Sequence, residues 1–180
     1  MVSVITHAAT AVAFGAMLPR QRVPASAWLV GALAAAAPDL DYLLYVQGVA
    51  YGSAFGHRGA SHSLAMAAAL GALLAFAWTA CRGRGERRWL FGYFAGCMAS
   101  HGLFDAMTDG GLGIAFLWPL STARCFLPWR PIEVAPLGIR SFFTQAGWQV
   151  MQRELLWVWL PLSVSTAAVL AARWARRTRS

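Results

Sequence analysis

Long apolar stretches, separated by short polar connections, dominate the pattern of this 180-residue chain. Each of the five longest is close to the about 17–25 residues that an α-helix needs to cross a bilayer. They cover Val2–Leu18, Ala25–Val46, Ser61–Cys81, Trp89–Met107 and Leu155–Ala172. The pattern therefore predicts an all-α, polytopic membrane helix bundle of about five transmembrane helices, forming a single integral membrane domain over residues 1–180.

The first stretch is short and contains His7, so a signal peptide is an alternative interpretation. No basic residue precedes it, and Arg20 and Arg22 follow it, which favours a helix that is retained. Between the fourth and fifth stretches lie the 44 residues of Gly110–Arg153, which are rich in proline and tryptophan. Their one apolar run, Leu112–Leu120, is too short to span, so the segment predicts an interfacial or re-entrant cap.

Composition supports the membrane assignment, because 58% of the residues are hydrophobic and only 12% are charged. All fifteen basic residues are arginine, and ten of them follow the first, third and fifth stretches. The positive-inside tendency then predicts an outer N-terminus and a cytoplasmic C-terminus, with residues 173–180 as a basic cytoplasmic tail that contacts lipid headgroups. The reversed orientation is the alternative. No basic module with interleaved aromatic residues is present, so we expect no nucleic-acid binding.

Ionisable residues other than arginine are few, and every histidine and aspartate falls in a few short clusters. Burying an unpaired carboxylate or imidazole is unfavourable unless a partner or a cation compensates. With the topology above, all the clusters lie on the outer side: His7, Asp39, Asp41, His57, His62, His101, Asp105 and Asp109. This convergence predicts a metal site. The three cysteines, Cys81, Cys97 and Cys125, are widely spaced and indicate neither a disulfide framework nor a thiolate site.

Spacing within the clusters supports the same interpretation. His101 and Asp105 are four residues apart, so they share one face of a helix. Asp39 and Asp41 would diverge in a regular helix but share a face in extended backbone, which Pro38 permits. Asp109 lies beside glycines where the helix is expected to end, and a turn-forming role is its alternative. Glu86 and Glu154 lie near arginines, and we expect both to be solvated.

A mixed imidazole and carboxylate set favours zinc, with manganese and iron as alternatives, over calcium. The metal ligands predicted from the clusters are His7, Asp39, Asp41, His57, His62, His101 and Asp105, which is enough for two or three ions. Such clusters generate hydroxide near neutral pH and stabilise a phosphoryl group during displacement. In this hypothesis Asp41 or Asp109 accepts the proton, while Arg58, with Arg130, Arg124 or Arg140 from the cap, binds the phosphate.

The order of motifs resembles the YdjM-like inner-membrane proteins of bacteria, also called membrane-bound metal-dependent hydrolases. The likeness extends to about residue 137 and is carried by Thr6-His7, Pro38-Asp39-Leu40-Asp41, the segment His57–Ser63, His101-Gly102-Leu103-Phe104-Asp105, Gly110-Gly111 and the segment Phe126–Ile132. It implies a metal-dependent hydrolase of the bacterial inner membrane. A fainter similarity, to zinc-dependent phospholipase C and P1-type nucleases, implies phosphoester cleavage, although this chain lacks their N-terminal tryptophan ligand.

Three functional classes follow. The first is a metal-dependent hydrolase that cleaves a small or lipid-type phosphoester with activated water at the outer membrane interface, with membrane lipids as its surroundings. The second is a metal-independent lipid phosphatase with a histidine nucleophile, although the lysine-containing motif of such enzymes is missing. The third is a non-enzymatic protein that binds or transports metal or serves a membrane partner, although transport would require ligands on both faces.

Overall fold

The computed structural model of the chain describes residues 1–134 and 143–178, and in these residues the regular structure is helical apart from two isolated β-bridges. The helices are α1 (Val4–Met17), α2 (Ala27–Ala36), α3 (Tyr42–Val46), α4 (Leu64–Arg82), α5 (Arg87–Ala106), α6 (Gln145–Glu154) and α7 (Leu160–Arg177). Two short 3₁₀ segments, Ala37–Asp41 and Ala60–His62, precede α3 and α4, and a π-helical turn, Leu155–Trp159, joins α6 to α7.

Three helical segments are long and apolar enough to cross a membrane: Ala27–Val46, Leu64–Arg82 and Gln145–Arg177. The apolar helix α1 is shorter, at 14 residues. Helix α5 has 20 residues but includes two arginines, a histidine and an aspartate. The expected all-α architecture is therefore confirmed, with three candidate spans in the described residues.

Helix α5 lies in the centre of the bundle and contacts α1, α2 and α4, while α1 also contacts α7. Small residues permit this close packing. A Cβ on Gly31 would lie 2.2 Å from the Tyr93 hydroxyl, and one on Gly71 would lie 2.7 Å from the Ala95 side chain. The Tyr93 hydroxyl donates a hydrogen bond of 3.0 Å to the carbonyl of Ala11. In a membrane, the hydrophobic effect does not drive helices together, because lipid is as apolar as their side chains. Close approach of the helix backbones, which small residues permit, stabilises the association instead.

The last part of the predicted cap, residues 110–153, is helical, because α6 begins at Gln145. The sequence Gln145–Glu154 is too polar to extend the fifth apolar stretch, yet it is helical and continues through the π-helical turn into α7. The described first part of the cap, residues 110–134, is irregular and is joined by bridges between Ile114 and Cys125 and between Thr108 and Ile132. Residues 135–142 of the cap, with Arg140, and residues 179–180 of the tail lie outside the described residues.

Candidate metal centre

Four parts of the chain bring histidines and aspartates together at one end of the bundle. His7 is on α1, Asp39 and Asp41 are in the 3₁₀ segment after α2, His57 and His62 precede α4, and His101 and Asp105 are on α5. Two groups have ligand atoms that all lie within 4.8 Å of one another: Asp39, His62, His101 and Asp105 form the first, and Asp41, His57 and His62 form the second. The sequence-predicted convergence is thus present, and the two groups share His62.

Distances in the first group match those between ligands of a single small cation. The Nε2 atom of His101 lies 3.1 Å from Nε2 of His62 and 3.3 Å from an Asp39 oxygen. From Nε2 of His62 to oxygens of Asp39 and Asp105 the distances are 3.8 and 3.9 Å. Ligand bonds of about 2.0 Å in a tetrahedral zinc site place neighbouring donor atoms about 3.3 Å apart. Only small shifts separate these side chains from that arrangement.

Hydrogen bonds at Nδ1 orient three of the imidazoles. The Nδ1 of His101 lies 2.7 Å from the carbonyl oxygen of Ala35, which can only accept a hydrogen bond. Nδ1 therefore carries the hydrogen, and Nε2 keeps the lone pair that could bind a metal ion. The Nδ1 of His57 lies 2.6 Å from one oxygen of Asp41. The Nδ1 of His62 lies 3.0 Å from the Ser61 hydroxyl and 3.2 Å from the other Asp41 oxygen. A carboxylate or carbonyl behind each ring fixes its orientation and raises its basicity, as is usual for histidine ligands of metals.

Asp39 and Asp41 reach the site in a way that the sequence analysis did not predict. Their backbone is a 3₁₀ helix and not extended, so the two side chains diverge. Asp39 faces the Nε2 side of His62, whereas Asp41 faces the Nδ1 side and also accepts a 2.5 Å hydrogen bond from Ser61. Divergence therefore places the carboxylates on opposite edges of one imidazole, where they have different environments.

Several polar atoms of the centre are buried and have no hydrogen-bond partner among the described residues: both ring nitrogens of His7, both oxygens of Asp39, and Oδ2 of Asp105. Burying such groups without a partner is strongly unfavourable, and a cation in contact with them would compensate. Imidazole nitrogens and carboxylate oxygens are the donor set of zinc, manganese and ferrous iron. The residues present therefore fit a divalent transition metal.

His62 has carboxylate oxygens of three aspartates within 4 Å, more than any other imidazole of the centre. Burial alone lowers the pKa of His62, but the adjoining carboxylates of Asp39 and Asp41 outweigh burial and raise it to about 9. Without a cation, this ring holds two protons at neutral pH. Because a metal ligand must offer a lone pair, ion binding at Nε2 has to displace one of them.

Arg58 is fully buried beside the centre, and its guanidinium is directed inward. Its Nε lies 3.3 Å from Asp105, while the two Nη groups donate to the carbonyl of Gly110 at 2.7 Å and to the hydroxyl of Thr108 at 3.0 Å. The backbone of Arg58 is left-handed, with φ of +64°, which is uncommon for this residue type. We therefore do not retain the predicted phosphate-binding role for Arg58, since this geometry orients Asp105.

On one side of the centre, His7 lies on α1, and Glu154 of α6 contacts the start of the same helix. The His7 ring stacks on His101 with 3.7 Å between centroids, and its Nε2 lies 3.7 Å from Asp105. Glu154 accepts hydrogen bonds from the backbone and hydroxyl of Ser3 and from the hydroxyl of Thr6, at 2.5–2.6 Å. The expectation that Glu154 is solvated was wrong, because its side chain is fully buried. Its position at the start of an apolar stretch was the available signal.

Other predicted residues lie outside the two groups. Asp109 is exposed and accepts a 2.9 Å hydrogen bond from the amide of Val134, which fits the alternative turn-forming role. Arg130 is exposed and stacks on Phe126 at 4.9 Å. Arg124 donates to carbonyls of the 51–57 loop, including that of His57 at 2.8 Å. Neither Asp109 nor Arg130 contacts the two groups of possible metal ligands.

Comparison with known proteins supports the motif resemblance. The family model for the YdjM inner membrane protein matches residues 1–179. The chain is similar to the inner membrane protein YbcI of Escherichia coli (strain K12), with 42% identity over 162 residues, which cover 89% of this chain and 92% of the relative. No solved structure matches.

Proposed function

We propose that this chain, which belongs to the YdjM inner membrane protein family, is a membrane-bound metal-dependent hydrolase that cleaves a phosphoester of lipid type. The observation that carries the proposal is the group Asp39, His62, His101 and Asp105, whose ligand atoms lie within 4.8 Å of one another. Metal binding accounts for buried oxygens of Asp39 and Asp105 that have no hydrogen-bond partner among the described residues.

In the proposed membrane arrangement the chain crosses five times, with the N-terminus outside, the C-terminus in the cytoplasm and the metal centre at the extracytoplasmic side. Three helical segments are apolar and long enough to span, and α5 has sufficient length at 20 residues. Exposed large side chains on these helices, such as Leu33, Leu73 and Val164, suit contact with lipid. The arginine-rich helix ends supply the orientation through the positive-inside tendency.

Zinc is the proposed cofactor, with manganese or iron as alternatives. The first group would hold one ion, with His7 beside it, and the second group, Asp41, His57 and His62, would hold another. Such an ion lowers the pKa of coordinated water and polarises a phosphoryl oxygen. The first group is the primary site, because Asp41 and His57 already satisfy each other through a 2.6 Å contact.

The surrounding residues have distinct tasks in the proposal. Arg58 holds Asp105 in place, and Asp41 orients His57 and His62. Asp41 is also the carboxylate of the centre that borders an open cavity, so we assign to it the proton released when water attacks the ester.

That cavity supports a lipid-type substrate. It has a volume of about 180 Å³ and lies between the 3₁₀ segment after α2, the loop near Phe55, and α4. Asp41 and Ser61 contribute polar atoms to it, whereas the rest of the lining is mainly apolar, including Leu44, Phe55, Met66, Leu70 and Met98. A substrate with hydrocarbon beside its phosphoester matches this combination of walls.

A histidine-nucleophile phosphatase is the second candidate, and one observation favours it. The 2.6 Å contact between Nδ1 of His57 and Asp41 is a carboxylate–imidazole pair that would raise the nucleophilicity of the other ring nitrogen. This candidate predicts hydrolysis that survives complete removal of metal by a chelator, which distinguishes it from the first.

The test compares Asp39→Asn with Asp109→Asn in protein purified in mild detergent. Asparagine preserves the shape of aspartate but removes the negative charge that faces His101 at 3.3 Å and His62 at 3.8 Å. We expect wild type and Asp109→Asn to retain bound metal by elemental mass spectrometry, and to hydrolyse bis(p-nitrophenyl) phosphate or a short-chain phospholipid. Asp39→Asn should lose most of both. Equal metal content in the two variants, or a wild type that takes up no metal after reconstitution, would refute the proposal.

A further inference from the structure

A groove of about 710 Å³ opens at the end of the bundle that is opposite the metal centre. It lies between the last turn of α1 and the first turns of α5, whereas the metal centre involves the beginning of α1 and the end of α5. Its apolar walls are formed by Phe14, Met17, Leu18, Trp89 and Tyr93. Its floor is formed by Gly92 and Gly96, and its mouth by Arg22 and Arg88.

The glycine floor leaves one face of α5 without side chains. A Cβ on Gly92 or on Gly96 would have no heavy atom within 4 Å, so nothing in the described chain fills the space above them. Residues four apart share a helix face. Between Arg88 at the mouth and Gly96 at the inner end, the helix rises about 12 Å. This length of apolar surface suits an extended hydrocarbon chain.

The mouth of the groove is positively charged. Arg22 lies 3.3 Å from one oxygen of Glu86, and Arg88 lies 3.2 Å from the other, so two guanidinium groups share one carboxylate. Arg22 also stacks over Trp89 at 4.7 Å, which holds it at the rim. The Arg88 side chain is 78% exposed and has donors free to bind an anion. A charged rim above an apolar groove is complementary to an amphiphile with an anionic head.

We propose that this groove binds one anionic diacyl phospholipid, with its phosphate at Arg22 and Arg88 and one acyl chain along Gly92 and Gly96. Basic pockets between membrane helices bind anionic lipid headgroups through the same combination of positive charge and depth. A second copy of the chain is the competing occupant, because two glycines four residues apart often mark a helix dimer. Parallel copies would bring like-charged arginine rims together, which disfavours that arrangement.

The experiment is native mass spectrometry of the full chain in detergent, with equimolar dioleoylphosphatidylglycerol and dioleoylphosphatidylcholine added. The variants are Arg88→Gln, Arg22→Gln with Arg88→Gln, and Gly92→Leu with Gly96→Leu. Arg130→Gln, an exposed arginine outside the groove, and Ala69→Leu, an exposed position on α4, are the matched controls. Circular dichroism and gel filtration check that each variant is folded.

Wild type and both controls should retain phosphatidylglycerol in preference to phosphatidylcholine. Each surface arginine changes anionic lipid binding about fivefold, so we expect about a 5-fold loss for Arg88→Gln and about a 30-fold loss for the double arginine variant. The leucine variant should lose retention of both lipids. Equal retention of the two lipids by wild type, or undiminished retention by the leucine variant, would overturn the proposal. So would a wild-type dimer that the leucine substitutions convert to monomer.

Discussion

The buried carboxylate of Glu154 gives a prediction whose magnitude follows from its contacts. Glu154 accepts hydrogen bonds from the Ser3 amide at 2.6 Å, the Ser3 hydroxyl at 2.5 Å and the Thr6 hydroxyl at 2.6 Å. Through them, α6 is attached to the first turn of α1, which carries His7. The change to test is Glu154→Ala, which removes the shared acceptor.

Alanine leaves the three donors in different situations. The two hydroxyls lie 3.2 Å apart and can pair with each other, and Thr6 also keeps the 2.7 Å hydrogen bond that it accepts from Trp159. Only the Ser3 amide loses every partner. A hydrogen bond to a charged group contributes about 1.5–3 kcal/mol, and part of the loss is offset because a buried charge disappears. We expect Glu154→Ala to reduce the free energy of unfolding by about 3 kcal/mol. Glutamine, whose carbonyl can still accept from Ser3, should cost about 1 kcal/mol.

Thermal or denaturant unfolding in detergent micelles measures the difference. Glu133→Ala is the matched control, because Glu133 is 47% exposed and lies 3.9 Å from Arg153. An exposed pair of this kind contributes at most about 1 kcal/mol. If Glu154→Ala destabilised the protein no more than Glu133→Ala, the structural role assigned to this carboxylate would be refuted. A glutamine variant as unstable as the alanine variant would contradict the hydrogen-bond argument while leaving the location of Glu154 intact.

Three further outcomes are expected. Gly59→Ala should lower the free energy of unfolding by more than about 2 kcal/mol and reduce bound metal, because the new Cβ would lie 2.3 Å from the Ala54 carbonyl oxygen. The control Gly92→Ala, whose Cβ would lie in open space, should be nearly neutral. Equal unfolding midpoints for the two variants would contradict this. Since the pKa of His62 is raised from 6.5 to about 9, its protonation stabilises the metal-free fold below pH 6.5 and this contribution is lost as the pH rises through about 9. Metal uptake at pH 7.5 should therefore release a proton from His62, and calorimetry in two buffers of different ionisation enthalpy that finds no release would count against it. Finally, metal titration should give one tightly bound divalent ion, with a second bound only when phosphate is added, because the net charge of the centre balances one such ion. Two equally tight ions without phosphate would contradict this.

The composition of the metal centre could be predicted from sequence because the polar residues stand out in an apolar chain. Burial of His7, His101 and Asp105 in a membrane helix bundle requires compensation, and this requirement does not depend on the exact helix positions. The prediction that His101 and Asp105 share one helix face, from their i, i+4 spacing, is also confirmed, because α5 is helical through both. The order of helices around α5 gave no comparable signal, since it depends on the close packing at Gly31 and Gly71.

Local backbone and hydrogen-bonding direction were harder to predict. The 3₁₀ backbone of Asp39 and Asp41 follows directly after α2, which ends at Ala36, and it includes Pro38. An alternation of polar residues cannot distinguish this backbone from an extended one. Arg58 was expected to face a ligand, but its partners are the Asp105 carboxylate, a carbonyl and a hydroxyl, all about 50 positions later in the chain. Such contacts depend on the folded loop and on a left-handed residue, neither of which appears in the spacing of residue types.

The charges at the candidate centre predict how many divalent ions it would hold. Asp39, Asp41 and Asp105 contribute three negative charges, and the buried Arg58 contributes one positive charge, so with neutral imidazoles two negative charges remain. Uncompensated buried charge is strongly unfavourable, and a single divalent cation removes it. In the absence of metal, the second proton on His62 supplies part of the same compensation, which explains why this ring, placed between two carboxylates, has the raised pKa. A second divalent ion at Asp41 and His57 would leave an excess of positive charge. An anionic phosphate would cancel that excess, so binding of the second ion and of a phosphoester should favour each other.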